Sequence, residues 1–295
     1  MDDQAELAAH FERCRGHLRA VAFRMLGSAD EADDAVQETW LRASRAGTAG
    51  VANVPGWLTT IVGRVCLDLL RSRRRRGEEP AELAGLETVA SDAADPEDEA
   101  VLADSVGLAL LVVLDRLGPA ERVAFVLHDL FAVPFAEIAG IVGRSPVAAK
   151  KLASRARARV HGTPAAPVAD LARQREVVEA FLAASRAGDL DALLAVLAPD
   201  VVRRTDRAVA GATTELRGAR HIAEETRGNA ARARFARPAL INGVPGVVVA
   251  PRGRLQIVLR LRIDGERVAA IDVVGDPDRL RALDLAVIPG SCGTP

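Results

Sequence analysis

The stretch LGPAERVAFVLHDLFAVPFAEIAGIVGRSPVAAKKLASRARARV (117–160) carries the pattern of two helices joined by a tight turn. Apolar residues at helical spacing predict a short helix over 135–142, and Gly143 permits the sharp turn that follows it. Ser145 is a natural N-cap for the next helix, and Pro146 suits its first position. The stretch therefore predicts a helix-turn-helix.

The second helix of this pair has a slim apolar face and a basic face. Such a helix suits insertion into the major groove of DNA, because small residues keep it narrow while Lys and Arg reach phosphates and guanine edges. An ordinary helical hairpin with a basic, solvated face is the alternative interpretation. The candidate DNA-binding residues on this helix are Ser145, Ala148, Lys150, Lys151, Ser154, Arg155 and Arg157.

The charges of the chain balance in number but not in position. There are 39 Lys and Arg against 40 Asp and Glu. Positions 71–76 read RSRRRR, 78–104 contain ten acids and no Lys or Arg, and 144–159 contain six basic residues and no acid. Basic blocks often bind nucleic acid and acidic blocks often act as tethers, although solvated faces and solubilising linkers give the same pattern.

Composition excludes several classes of protein. The first residues, MDDQAELAAHFERC, are acidic and do not resemble a secretory signal, and no run of 18 apolar residues occurs. Cys14, Cys66 and Cys292 form no CxxC pair, which argues against a disulfide framework or a cysteine zinc site. The absence of Tyr argues against base-stacking platforms. We expect a cytoplasmic protein with no cofactor and no metal.

Composition shifts divide the chain into four parts. Pro80, Pro96 and the many acids mark one boundary, and HGTPAAPVA (161–169) marks the other because its prolines forbid a continuing helix. The predicted parts are a helical segment 1–77, an acidic linker 78–104, a helix-turn-helix segment 105–162 and a C-terminal segment 168–295.

Segment 1–77 is predicted to hold three amphipathic helices. The first covers 10–26, Ser28 is the N-cap of the second, and the third covers 56–75. Acids crowd the start of the second helix, where the helix dipole favours negative charge. Its predicted inward stripe is Val36, Trp40 and Leu41, which leaves the acids exposed on the other side.

These residues resemble the extracytoplasmic-function (ECF) sigma factors of bacteria, which belong to the sigma-70 family. DEADDAVQETWLRA (30–43) resembles region 2.2, WLTTIVGRVCLDLLRSRRRR (57–76) resembles regions 2.3 and 2.4, and 117–160 resembles region 4. The order and spacing of the blocks and the acidic linker between them agree with that family. The resemblance covers 1–162.

The resemblance implies an alternative sigma factor that directs RNA polymerase core to promoters. The acidic helix would dock on the β′ clamp, the third helix would engage the minus-ten element, the helix 146–160 would read the minus-thirty-five element, and the linker would thread polymerase. The β flap would be a second polymerase contact. The implied polymerase-binding residues are Asp30, Asp33, Asp34, Gln37 and Glu38. The implied DNA-binding residues of the third helix are Arg64, Arg71, Arg73, Arg74 and Arg75.

Four residues that might attract a functional role have simpler interpretations. Trp40 and Trp57 lie on apolar stripes and are expected to pack in the core. His128, in an apolar setting, is expected to be a hydrogen-bonded core histidine. Cys66 is expected to be a small buried hydrophobe.

Segment 168–295 reads as helices followed by strands. Predicted strands at 246–250, 255–263 and 268–274 include a hairpin turn at Asp264-Gly265. This α+β pattern resembles a SnoaL-like cone, which a subgroup of these sigma factors carries at the C-terminus. GDPDRL (275–280) resembles the Asn-Pro-Asp-Lys-Leu signature of that subgroup, while TDRAVAG (205–211) and HGTPAAPVADLA (161–172) depart from its other motifs.

The expected fold class is therefore multidomain, with all-α sigma region 2 and region 4 modules and an α+β cone. Asp206 and His221 are candidate residues of a regulatory pocket in the cone, where a small-molecule ligand would bind. Catalysis is not expected, because a ketosteroid-type site uses a tyrosine oxyanion donor. We expect the cone to modulate the sigma modules in cis. A stand-alone DNA-binding repressor and a ligand-sensing regulator are the alternatives.

Overall fold

A computed structural model of the chain describes residues 2–76, 107–165, 167–206, 208–209 and 214–288. The predicted acidic linker 78–104 lies outside the described residues. The chain divides into two compact units. Unit 1 holds Met1–Glu79 and Leu114–Arg159, and unit 2 holds Pro80–Val113 and Val160–Pro295.

Unit 1 begins with three helices: α1 (Asp2–Leu26), α2 (Ala29–Ala46) and α3 (Val54–Arg76). Gly27, with φ of 78°, lets the chain turn sharply after α1. Ser28 then caps α2, as predicted, because its side chain accepts from the backbone N–H three residues on. The helices pack through fully buried side chains that include Leu18, Val21, Met25, Leu58, Val62 and Cys66.

The second part of unit 1 is the predicted helix-turn-helix. A short helix α4 (Leu108–Asp115) precedes α5 (Pro119–Phe125), which continues as a π-helical turn, Val126–Leu130. Then follow α6 (Phe135–Val142) and α7 (Pro146–His161). The division between the two units falls inside α4 and within the last turn of α7.

The turn between α6 and α7 has the predicted chemistry. Gly143 ends α6 in the left-handed region, at φ 68° and ψ 43°. The hydroxyl of Ser145 accepts a hydrogen bond from the backbone N–H of Ala148 at 3.2 Å. Ala149, Ala153 and Ala156 are wholly buried, so the helix packs closely and turns its long basic side chains outward.

Unit 2 is an α+β cone built on one sheet. Its helices are α8 (Val168–Ala187), α9 (Leu190–Val196), α10 (Ala219–Gly228), α11 (Ala230–Ala233) and α12 (Pro277–Ala282). Its strands are β1 (Leu197–Thr205), β2 (Glu215–Arg217), β3 (Ala236–Ile241), β4 (Val244–Val249), β5 (Ile257–Asp264), β6 (Arg267–Val274) and β7 (Leu285–Ala286).

The sheet has the order β2-β1-β6-β5-β4-β3-β7. β1 runs parallel to β6, and the other pairs are antiparallel. The predicted hairpin joins β5 to β6 through Gly265, whose φ is 59°. Side chains of α8, α9 and α10 meet the sheet in one apolar core, with Val178, Phe181, Leu193, Leu197, Ile222 and Val247 among its members. The described helices include none that is long and apolar enough to cross a membrane.

Candidate polymerase- and promoter-binding surfaces

The outer face of α2 carries the predicted polymerase-binding residues. Asp30, Asp33, Asp34 and Gln37 are exposed, and Glu38 is half-buried. Part of this charge is balanced within the module. Arg19 of α1 donates to Asp33 at 2.7 Å, and Arg42 donates to Glu38 at 2.8 Å. That hydrogen bond to Glu38 raises the pKa of Arg42. Asp30 and Asp34 are the acids left for an external cation.

An apolar groove of about 440 Å³ lies beside these acids, between α1 and α2. Trp40 is half-buried on its wall, with its ring centroid 5.1 Å from that of Phe11. Trp40 thus packs, as expected, but it also faces the groove. The prediction for Leu41 was wrong, because this residue is 46% exposed at the groove edge and does not lie in the inward stripe. An acidic face with an apolar slot suits a basic partner that carries one apolar anchor.

Four of the predicted arginines of α3 point outward, and one is tied down. Arg64, Arg71, Arg74 and Arg75 are exposed. Arg73 forms an ion pair with Glu31 and donates to the carbonyl of Leu26 at 3.2 Å. Arg71, Arg74 and Arg75 have no ion-pair partner among the residues that the structure describes, and they line a groove of about 510 Å³. Their charge is therefore available to phosphates.

The outer face of α7 presents a second basic surface. Lys150, Lys151, Ser154 and Arg155 are exposed, and within the described ranges none of these three cations has an ion pair. Arg157 instead donates to Asp129 at 2.5 Å, within the same module. Ala148 is half-buried, and Ser145 acts as the cap of the helix.

Val147 was missed by the sequence analysis. It is 67% exposed at the first turn of α7, beside the residues that would enter the groove first. The signal was present, since a valine between Pro146 and two alanines at the start of a recognition helix has no core partner to meet. An apolar side chain here suits contact with the methyl group of thymine.

A buried cation was also missed. Arg122 of α5 is 2% exposed and donates to Asp115 at 3.1 Å. Burial lowers the pKa of Arg122, and the carboxylate of Asp115 partly offsets that effect. Periodicity gave no signal for it, because charged residues are expected on solvated helix faces.

The other two expectations for the module hold. Cys66 is buried, and desolvation raises the pKa of its thiol to about 12. His128 is half-buried, with its Nδ1 3.2 Å from the carbonyl oxygen of Val133 and its ring stacked on Phe135. Trp57 is half-buried on α3. Among the described residues no group of three His, Cys, Asp or Glu could hold a metal ion.

In the cone, Asp206 and His221 have different surroundings. The carboxylate of Asp206 is 8% exposed and accepts hydrogen bonds from the backbone N–H groups of Gly275 and Asp276, both at 2.9 Å. It also lies 3.5 Å from the guanidinium of Arg279. The GDPDRL motif therefore folds around Asp206. His221 is exposed on α10, with its Nδ1 3.3 Å from the carbonyl oxygen of Arg217.

Comparison with known proteins agrees with this architecture. Residues 10–76 match the family described as Sigma-70 region 2, and residues 107–160 match the family described as Sigma-70, region 4. The probable ECF RNA polymerase sigma factor SigI of Mycobacterium tuberculosis (strain CDC 1551 / Oshkosh) is 34% identical over 293 residues, which cover 96% of this chain and 98% of that protein.

Two further likenesses involve another protein of that species. The ECF RNA polymerase sigma factor SigJ of Mycobacterium tuberculosis (strain ATCC 25618 / H37Rv) is 46% identical over 202 residues, or 65% of this chain and 62% of SigJ. The crystal structure of Mycobacterium tuberculosis SigJ is 33% identical and covers 92% of this chain and 98% of that one, with a TM-score of 0.45.

A region 2 module, a region 4 helix-turn-helix and their charged outer faces define a transcription initiation factor of the sigma-70 class. Identity to a relative over nearly its whole length makes the family specific. The chain belongs to the ECF RNA polymerase sigma factors, and it is an alternative sigma factor that directs RNA polymerase core to promoters.

Proposed function

We propose that three surfaces of unit 1 divide the work of initiation. The acidic face of α2 docks on the β′ clamp of polymerase, α3 and its basic end engage the minus-ten element, and the outer face of α7 reads the minus-thirty-five element. The observation that supports this division most strongly is the set of exposed charges without an ion pair in the described chain, which lie on these three faces.

The polymerase surface combines charge with an apolar anchor point. Asp30 and Asp34 steer a basic partner, because complementary charge raises the rate of encounter. The groove beside Trp40 and Leu41 accepts an apolar side chain of that partner, and such desolvated aromatic sites carry most of the energy of an interface. Gln37, which also lines the groove, supplies a hydrogen-bonding group at its edge.

The minus-thirty-five surface combines phosphate contacts with base contacts. Lys150, Lys151 and Arg155 reach phosphates or guanine edges, and Val147 contacts a thymine methyl group. Arg157 and Arg73 hold their own modules through acid pairs, and that role positions the surfaces beside them. Arg71, Arg74 and Arg75 hold phosphates next to the minus-ten element.

Unit 2 is a regulatory domain that modulates the sigma modules in cis. Its own apolar core and sheet support an independent regulatory role. It is not an enzyme, because the chain has no Tyr to act as an oxyanion donor and Asp206 is engaged by two backbone N–H groups. The whole chain works in the cytoplasm, where RNA polymerase and promoter DNA are found.

Run-off transcription with core polymerase tests the regulatory role. The full-length chain is compared with a chain truncated after Val168, at equal holoenzyme concentration. We expect the amount or the promoter preference of the transcript to change when unit 2 is removed. Equal transcription from every promoter by the two chains would contradict regulation in cis and leave the sigma activity itself intact.

A further inference from the structure

The helix-turn-helix packs directly on one face of α3. At Gly63 there is no side chain, and a Cβ placed there would lie 3.3 Å from Ile141 and 3.4 Å from Leu127, both of the helix-turn-helix module. Arg64, the next residue, donates to the carbonyl of Gly140 at 3.3 Å. Gly63 is thus a seat for region 4, and Arg64 is engaged beside it.

A second contact joins the same modules through α1. Phe131, which follows the π-helical turn, lies edge-on to His17 with ring centroids 5.2 Å apart. The guanidinium of Arg24 stands 5.1 Å from the centroid of the same phenyl ring. The imidazole of His17 in turn lies 3.4 Å from the hydroxyl of Thr59 on α3. Phe131 is therefore held by side chains of region 2.

The covered face differs from the faces that stay open. Arg64 lies on the covered face, while Lys150, Lys151 and Arg155 of α7 and Asp30 and Asp34 of α2 remain exposed. The contact thus engages the minus-ten face of region 2 and spares the other two surfaces.

Distance along DNA makes this closed arrangement incompatible with a bound promoter. The two promoter elements lie about 25 base pairs apart, or roughly 85 Å at 3.4 Å per base pair. A compact body of about 125 residues has a radius of gyration of roughly 14 Å. One body of that size does not reach both elements, so the two modules must separate.

We infer that region 4 binds the minus-ten face of region 2 within the chain, through Gly63, Arg64 and Phe131, and that this contact must open before the minus-ten element is bound. The inference rests on the proposed assignment of α3 to that element. In the closed chain the minus-thirty-five helix and the polymerase-docking face are accessible. Opening therefore controls promoter melting and leaves the first encounters with polymerase and duplex unaffected.

Gly63→Leu tests the contact, because a leucine side chain at this seat collides with Ile141 and Leu127 and not with region 2. Gly16→Leu is the matched control, since Gly16 lies in α1 with nothing within 4 Å of an added Cβ. Dyes on exposed Arg45→Cys and Glu137→Cys report the separation of the modules by energy transfer, after Cys14 and Cys292 are changed to Ser. The buried Cys66 thiol, whose pKa is raised to about 12, does not compete for the dyes.

The DNA probes are a single-stranded minus-ten oligonucleotide and a minus-thirty-five duplex. Both come from a promoter selected with the wild-type holoenzyme from random templates. We expect Gly63→Leu to lower energy transfer and to bind the single strand about tenfold more tightly, as when a minor open state becomes the major one. Its affinity for the duplex should stay within about twofold of wild type. Gly16→Leu should match wild type in all three measurements.

Two results would overturn the inference: unchanged energy transfer in Gly63→Leu, or lower energy transfer without tighter binding of the single strand. Phe131→Ala removes the second contact by truncation and serves if the leucine chain does not fold. Failure of the wild-type holoenzyme to contact the minus-ten strand through α3 would instead refute the proposed surface. Energy transfer requires no DNA, so the two failures are distinguishable.

Discussion

Arg122 donates to Asp115 at 3.1 Å, although the arginine side chain is only 3% exposed and the aspartate side chain is 56% exposed. The pair is therefore asymmetric. A carboxylate left alone at this place meets water, but a guanidinium left alone stays buried beside a second cation, Arg73, which also lowers its pKa. The Nε of Arg122 has no hydrogen-bond partner in the part of the chain that the structure describes.

We expect Asp115→Ala to be more damaging than Arg122→Met. Removing the carboxylate leaves a buried charge without compensation and should lower the free energy of unfolding by about 3 kcal/mol. Replacing the arginine by an apolar side chain of similar length should change it by at most about 1 kcal/mol, since such replacements are often neutral. Urea unfolding at pH 7 measures both, and the reverse order of stability would contradict the account.

Asp206 is expected to stabilise unit 2 by holding the turn before α12. Asp206→Ala leaves the N–H groups of Gly275 and Asp276 without an acceptor, which should cost about 1–3 kcal/mol. The melting temperature of the chain's unit 2 transition should fall by roughly 2–12 °C. Asp264→Ala, at the exposed end of β5, is the matched control. Equal melting of the two variants would show that the turn does not depend on Asp206.

The packing of region 4 on region 2 is expected to weaken in acid. Partial burial and, secondarily, the charge of Arg24 lower the pKa of His17 from its usual 6.5. The other groups around the ring, Thr59 and Phe131, carry no charge. The open chain, in which His17 recovers its usual pKa, binds the proton more readily, so closure is complete above about pH 6.5 and declines as the pH falls below it.

Energy transfer between the two modules, followed from pH 7.5 to 5.5, measures this effect. His17→Gln should remove the part of the decline that His17 causes, while the titration of other groups continues in both chains. A variant and a wild type with parallel pH curves would show that His17 does not couple protons to closure.

Lys151 and Arg155 are expected to contact DNA directly. Changing either to Ala should weaken binding of the minus-thirty-five duplex. A base contact should cost about 1–3 kcal/mol and relax specificity, and a phosphate contact should weaken all sequences alike and reduce the salt slope by about one. Arg45→Ala, an exposed cation at the end of α2, is the control. Salt slopes equal to that of the control would count against both contacts.

The helices of unit 1 followed from local chemistry that the sequence displays. Gly143, Ser145 and Pro146 mark a turn and a helix start by themselves, so the helix-turn-helix was predicted to the residue. The first helix was predicted to begin at His10 but begins at Asp2, because polar residues there hide the single buried Leu7. The predicted acidic linker was not tested, since it lies outside the described residues.

The rest depends on contacts between residues far apart in sequence. β1 was only partly anticipated, because its buried face contains Arg203 and Thr205 beside Val201 and so lacks a clear apolar alternation. Arg203 is accommodated there through its ion pair with Glu225 of α10. The seat at Gly63 gave no signal either, since a glycine inside a helix reads as a weak position until its partner is known.

The central claim is that the chain directs core polymerase through the acidic face of α2 and the basic face of α7. Promoter-dependent run-off transcription with core polymerase tests it most directly, with Asp34→Lys against the control Asp191→Lys, an exposed acid of α9. The account predicts a transcript from wild type and control, and a much weaker one from Asp34→Lys that recovers at higher sigma concentration. Wild type that neither binds core nor yields a transcript would contradict the claim.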